Sequence, residues 1–316
     1  MLLPVTNVSS RGEGIDMWRK ALVGSAIAAS AFWFAMFPAD AGLFDSKPAT
    51  PEVSPQTVEQ IQAAIDDQRY LDAGKMLDEA MLTGNDDPKL VYLAGELALA
   101  RDRAQDALSF FRSIDTKPEV AAEALQGEGI ALSLLDKSDE ALKTLQSAVD
   151  KDPTAWRAWN AMGTEYDRRH DWQKAEDAYS HALASSNSAP IVLNNRGFSY
   201  LCQNKLAQAI PDFVKALQKK PDLAAARNNL RLAIAMEGQY GRAMEGVNGA
   251  DRAAVLNNVG YAALLRGDYA KAQSLFDQAI KVRGKYYGVA SDNLKMAQEM
   301  ATKQSGAAKD LGADGH

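Results

Sequence analysis

The chain has 316 residues, 47% of them hydrophobic and 24% charged, a balance ordinary for a soluble protein with ample core. A net charge of −6 leaves no basic footprint for nucleic acid. One cysteine, Cys202, and three histidines, His170, His181 and His316, exclude an internal disulfide and offer no metal-ligand spacing, so neither metal nor cofactor is expected.

Residues 1–16 are polar and irregular. Met17-Trp18-Arg19-Lys20 then supplies a start-like methionine and two positive charges, and Met17 is an alternative start. Ala21 to Phe37 is uncharged over 17 residues; Pro38 ends it, and Ala39-Asp40-Ala41 reads as a small-x-small cleavage site. Residues 17–41 thus have the three-part layout of a secretory signal. Three readings stand open: cleavage after Ala41, retention as an inner-membrane anchor through residues 21–37, near the lower limit for a spanning helix, or a buried helix of the fold. The first two predict an exported, periplasmic body that meets the membrane only through this segment. Residues 42–53, with two prolines, read as a linker.

From Ser54 the chain repeats. Starts at Ser54, Pro88, Ala122, Trp156, Pro190 and Ala224 are 34 residues apart, and a seventh at Ala253 follows a step five residues shorter. Position eight is Gly95, Gly129, Gly163, Gly197 and Gly260 in five repeats; position twenty is alanine in all seven, from Ala73 to Ala272. Glycine inside a helix costs about 1 kcal/mol against alanine, so its recurrence in register requires a packing role. Small residues at both positions let the two helices of a hairpin approach closely, with Leu77, Phe111, Leu145, Tyr179, Phe213, Val247 and Phe276 at position twenty-four filling the space between. Such hairpins bury their apolar stripes only by stacking. The sixth departs: Arg231 occupies position eight, and a short second helix over Met244–Ala250 contains Gly246 and Gly249, which predicts a loose or kinked hairpin. Asp292 to Thr302 is a last amphipathic stretch, placing a cap at 287–302 and a frayed tail at 303–316.

Gly197, Tyr200, Ala209, Phe213, Ala216 and Pro221 in the fifth repeat, and Trp159, Gly163, Tyr166, Ala175, Tyr179 and Ala182 in the fourth, resemble the tetratricopeptide-repeat (TPR) family. The resemblance covers Ser54 to Tyr286 and implies an all-α, right-handed TPR superhelix, a solenoid of about seven hairpins over residues 54–302 including the cap. It also implies a concave groove lined by the first helices through positions two, five, six, nine, twelve and thirteen. There stand Asn194-Asn195, Asn228-Asn229 and Asn257-Asn258, with Asn160 and Arg157 in the fourth repeat and Phe198 and Tyr261 at position nine. A carboxamide donates and accepts, so a row of them can hold an extended peptide backbone; the alternative is that they bond neighbouring helix ends or face water.

Charge is uneven: net −6 from Ser54 to Ala121 and net +7 from Pro190 to Tyr286. That describes either solvated helix faces or a dipolar scaffold. The run from Asn257 to Ala272, with Asn194 to Tyr200 and Ala225 to Gln239, resembles the TadD-type TPR proteins of tight-adherence (Flp) pilus assembly. That resemblance implies a non-enzymatic envelope scaffold whose partners are proteins or peptide segments, secretin or pilus-assembly components among them. The lipid anchor usual in that group does not carry over, because no cysteine follows the hydrophobic segment. A chaperone or biogenesis factor of another envelope pathway is the alternative. For an enzyme, no nucleophile–base set or phosphate loop emerges.

Overall fold

The computed structural model describes residues 53–82, 87–283 and 287–313, and these fall into two compact units divided between Ser186 and Asn187. The polar leader, the signal or anchor and nearly all of the linker lie outside the described residues. Among the described residues there is no strand, and no helix is long and apolar enough to cross a membrane.

The first unit stacks four hairpins: α1 (Pro55–Asp66) with α2 (Tyr70–Met81), α3 (Pro88–Ala100) with α4 (Ala104–Ile114), α5 (Ala121–Leu134) with α6 (Ser138–Lys151), and α7 (Trp156–Arg168) with α8 (Trp172–Ser185). The second contains α9 (Pro190–Cys202) with α10 (Leu206–Lys219), α11 (Ala224–Met236) with the one-turn α12 (Tyr240–Ala243), α13 (Arg252–Leu265) with α14 (Tyr269–Arg283), and α15 (Gly288–Ala313). The all-α hairpin stack expected from the repeat is the architecture observed.

Local chemistry starts the helices. Proline opens α1, α3 and α9, where its missing N–H costs nothing. Ser54 and Asp87 accept hydrogen bonds from the backbone N–H groups of Thr57 and Lys89, at 3.1 and 2.8 Å. The turn inside each hairpin has one construction in all seven repeats. Position fifteen is left-handed, as Gln68, Asp102, Asp136, His170, Asn204, Gly238 and Gly267. The next N–H then bonds back five residues, Arg69 to Ala64 O at 2.8 Å and Lys205 to Tyr200 O at 2.8 Å. This closes the first helix and turns the chain tightly into the second.

Packing follows the predicted register. All seven alanines at position twenty are fully buried. A methyl built at Gly95, Gly129, Gly163, Gly197 or Gly260 would stand 2.5–2.8 Å from the position-twenty-four side chain of its own hairpin. The absent Cβ is therefore the space that Phe111, Leu145, Tyr179, Phe213 and Phe276 occupy. Phe111 is clasped on both sides, with Gly127 of the next hairpin 2.5 Å away on the same measure. Each such buried aromatic is worth roughly 1.5–3 kcal/mol against exposure.

The sixth hairpin departs further than expected. Its second helix is not Met244–Ala250 but Tyr240–Ala243, followed by positive φ at Gly246 and Gly249 and a 3-10 turn at Gly249–Asp251. Arg231 fills the place of the packing glycine and donates to the Glu245 carbonyl at 3.1 Å, so a turn, not a helix, lies against it. Burial, then the charge of Arg227, lower its pKa. The cap is also longer than expected: α15 begins at Gly288 and continues through Ala313, carrying helix into the predicted tail.

Candidate functional site

The predicted groove residues separate by burial. Asn194 and Asn257, at position five, are buried at 6% and 1% exposure, and Tyr261 at 2%. These three are corrected from groove-lining to interior residues. Tyr261 lies in the core of the second unit, where burial raises the pKa of its phenol. Arg157, Asn160, Asn195, Phe198, Asn228, Asn229 and Asn258 are half-buried and reach the surface.

The buried carboxamides of Asn194 and Asn257 take part in struts between successive layers. Asn229 Nδ2 donates to Asn194 Oδ1 at 3.0 Å, and Asn194 Nδ2 donates to Asn195 Oδ1 at 3.2 Å. Asn293 of α15 donates to Asn257 Oδ1 at 3.0 Å, and Asn257 donates to Asn258 Oδ1 at 3.4 Å. Part of each Asn pair thus satisfies the fold itself, as a buried amide must. A carboxamide offers two donors and two lone pairs, so the half-exposed members keep bonding capacity. Asn228 makes no hydrogen bond to a described residue.

In the first unit Arg157 is committed. Its Nη1 and Nη2 donate to the two carboxylate oxygens of Glu96 at 2.6 and 3.1 Å, from the fourth hairpin to the second. Burial works against the charge on Arg157, but Glu96 outweighs it and holds its pKa above the usual value. Burial, then Glu96, push the Tyr92 phenol beside them well above its ordinary range. Gln126 accepts from the Ala158 N–H at 3.2 Å, again between layers. Fully buried Glu165 accepts from the Ser133 hydroxyl and, at 2.6 Å, from that of Ser138, with Arg168 Nη1 3.4 Å away. In the second unit Arg196 makes a two-pronged pair with buried Asp212 at 2.7 and 2.8 Å.

These acids were not singled out in the sequence. Glu96, Glu128 and Glu165 interrupt apolar or small-residue runs in first helices, a legible signal, but their partners lie 16 to 61 residues away. The remaining candidates show no reactive constellation. His170 is exposed in its turn, its ring tilted on Trp172 at 5.0 Å; His181 is exposed and stacked on Trp159 at 4.5 Å. Cys202 is half-buried at the end of α9. Among the described residues no group of His, Cys, Asp or Glu could hold a metal ion.

Comparison with known proteins agrees with the repeat. The tetratricopeptide-repeat family model matches residues 128–190 and again 160–224. Human tetratricopeptide repeat protein 7A is 26% identical over 141 residues, 43% of this chain and 16% of its own. Human tetratricopeptide repeat protein 13 is 28% identical over 119 residues, 38% of this chain and 14% of its own. The chain therefore spans a small fraction of the length of these curated relatives. Among solved structures, the APC/C hetero-tetramer Cut9–Hcn1 aligns at a TM-score of 0.63 and 17% identity, covering 78% of this chain and 49% of that one. A thermophilic TPR protein of Thermus thermophilus, TTC0263, aligns at 0.52 and 19%, covering 57% of this chain and 97% of that one. Both likenesses concern fold. Residues 128–224 thus match tetratricopeptide repeats and, with glycines and alanines in hairpin register and one left-handed turn repeated seven times, the described helices have the tetratricopeptide-repeat solenoid fold.

Proposed function

We propose that this protein is a non-catalytic interaction scaffold of the bacterial cell envelope, assisting assembly of a tight-adherence (Flp) type pilus apparatus. The observation that carries the scaffold reading is a division of labour within the hairpins. Second helices are committed to packing through positions twenty and twenty-four. First helices keep half-exposed amides and apolar groups, Asn195, Phe198, Asn228, Asn229 and Asn258 in the second unit. That mixture suits a peptide or helix of a partner protein better than a small metabolite. The envelope location rests on the signal-like residues 17–41, and the pilus assignment on the resemblance of Asn257–Ala272 to TadD-type repeats.

The test has two arms. Residues 1–60 fused to a reporter active only outside the cytoplasm should give signal; a silent reporter with cytosolic protein ends the envelope reading. Crosslinking and capture from membranes should recover secretin or pilus-assembly proteins, whereas cytochrome-maturation or outer-membrane-assembly components would move the chain to another pathway. Against the recovered partner, Asn228→Ala with Asn258→Ala should lose about 1–3 kcal/mol of affinity, the sum of two neutral hydrogen bonds. Unchanged affinity would remove these amides from the contact.

A further inference from the structure

A pocket of about 430 Å³ opens on the first unit, between α1, α3 and the start of α5. Val58, Tyr92, Leu93 and Val120 give it apolar walls, and Tyr92 is braced from behind by the Phe111 ring at 5.9 Å. Glu59, Asp66, Glu119 and Glu123 line it against a single cation, Lys89. Asp66 accepts from Gln62 Nε2 at 3.0 Å, but Glu59, Glu119 and Glu123 make no ion pair with a described residue. Elsewhere in this unit several such charges are matched: Glu96 holds Arg157, Glu128 holds Arg112, and Glu165 has Arg168 beside it. The pocket acids converge from three hairpins onto an apolar floor and lack that compensation.

From this juxtaposition we propose a second ligand site, separate from the asparagine positions, that takes a cationic peptide segment of a partner protein carrying one bulky apolar side chain. The proposal rests on the scaffold reading and adds to it the charge and place of a ligand. The apolar side chain would enter between Val58, Tyr92 and Val120, while Lys or Arg groups on either side meet Glu59, Glu119 and Glu123. Low-dielectric walls beneath a ring of like charge concentrate its field, so cations are drawn in and carboxylate ligands repelled. The volume admits one large side chain with a short stretch of backbone.

The experiment uses the full chain and three short peptides: lysine-rich with a central phenylalanine, the same with alanine for phenylalanine, and the same with glutamate for each lysine. The lysine–phenylalanine peptide should bind, weaken as salt rises, and exceed both others. Glu59→Gln, Glu119→Gln and Glu123→Gln together should weaken it roughly tenfold or more, since each exposed pair contributes modestly. These substitutions lie at the surface and should leave the melting curve unchanged. Asn228→Ala with Asn258→Ala should leave peptide binding unchanged, so failure of this pocket and failure of the asparagine contact are read separately. No binding at millimolar peptide, equal binding of the glutamate peptide, or indifference to the triple variant would each overturn the site. So would salt-sensitive self-association abolished by the same variant, because the occupant would then be the basic part of a second copy.

Discussion

A methyl added at Gly163 would meet the Tyr179 ring at 2.6 Å, and that ring is pinned by its hydroxyl donating to Asp167 at 2.8 Å. A methyl added at Gly241, on the one-turn α12, meets nothing within 4 Å. Intrinsic helix propensity favours alanine at both by up to about 1 kcal/mol. Gly241→Ala should therefore stabilise the protein by about 0.5–1 kcal/mol. Gly163→Ala should destabilise it by about 1–3 kcal/mol, because overpacking exceeds the propensity gain. Denaturant titration of the two variants beside the parent checks both signs; equal effects would deny the packing role of the glycine register. The repeated turn offers a complementary test. Gln68 is left-handed at φ 61°, where the sixth and seventh repeats have Gly238 and Gly267. Gln68→Gly should raise stability by up to about 1 kcal/mol, read as a higher denaturation midpoint, since only the residue with a Cβ is strained there.

Adjacent asparagines on one helix have different tasks. Asn257 is buried between α13 and α15 and accepts from Asn293, whereas neighbouring Asn258 is half-exposed. Removing the Asn257 amide leaves the Asn293 N–H without its acceptor inside the protein, an asymmetric loss of about 1–3 kcal/mol. Asn257→Ala should therefore lower the unfolding midpoint markedly, while Asn228→Ala, at a half-exposed amide that bonds no described residue, should stay within about 0.5 kcal/mol of the parent. Paired melts decide the matter; matched losses would mean that both amides are structural. The same contrast explains why the three asparagine pairs do not form one uniform row. Asn194 and Asn257 at position five are buried against the next layer, whereas Asn228 at position five is half-exposed and it is Asn229 at position six that reaches Asn194. The sixth hairpin shows the converse, a failure of register: Arg231 occupies the packing position, and the second helix shrinks to Tyr240–Ala243.

An open stack of hairpins needs an end that covers its last apolar face. In the second unit α15 supplies it: Ala290 and Ala297 are fully buried, Gln273 donates to the Ala297 carbonyl at 3.2 Å, and Asn293 reaches Asn257. Ending the chain at Tyr287 should cost at least about 2 kcal/mol through the lost partner of Asn257 and the uncovered apolar surface. Differential scanning calorimetry of the truncated and full chains should show a lower melting temperature and aggregation on heating; coincident curves would show that α15 is dispensable. Within the first unit, Glu96 and Arg157 tie the second hairpin to the fourth.

The sequence by itself determined the repeat, its 34-residue period, the hairpin as its unit and the interior place of glycine at position eight and alanine at position twenty. Those features are legible because they follow from contacts within one hairpin, where residues sixteen apart meet at each of the five packing glycines. It also marked the sixth hairpin as the irregular one, though the helix that survives there lies before Met244. Tertiary structure alone decided which polar residues are interior. Whether Asn194, Asn257 and Tyr261 face solvent depends on the layer stacked beside them, and a spacing pattern records the face of a helix without recording what covers it. The Glu96–Arg157 pair bridges 61 residues, and Glu59 meets Glu119 and Glu123 around one pocket only after three hairpins have stacked. Net charge along the chain signalled an acidic first part, but only the packing of α1, α3 and α5 gathers that charge onto an apolar floor.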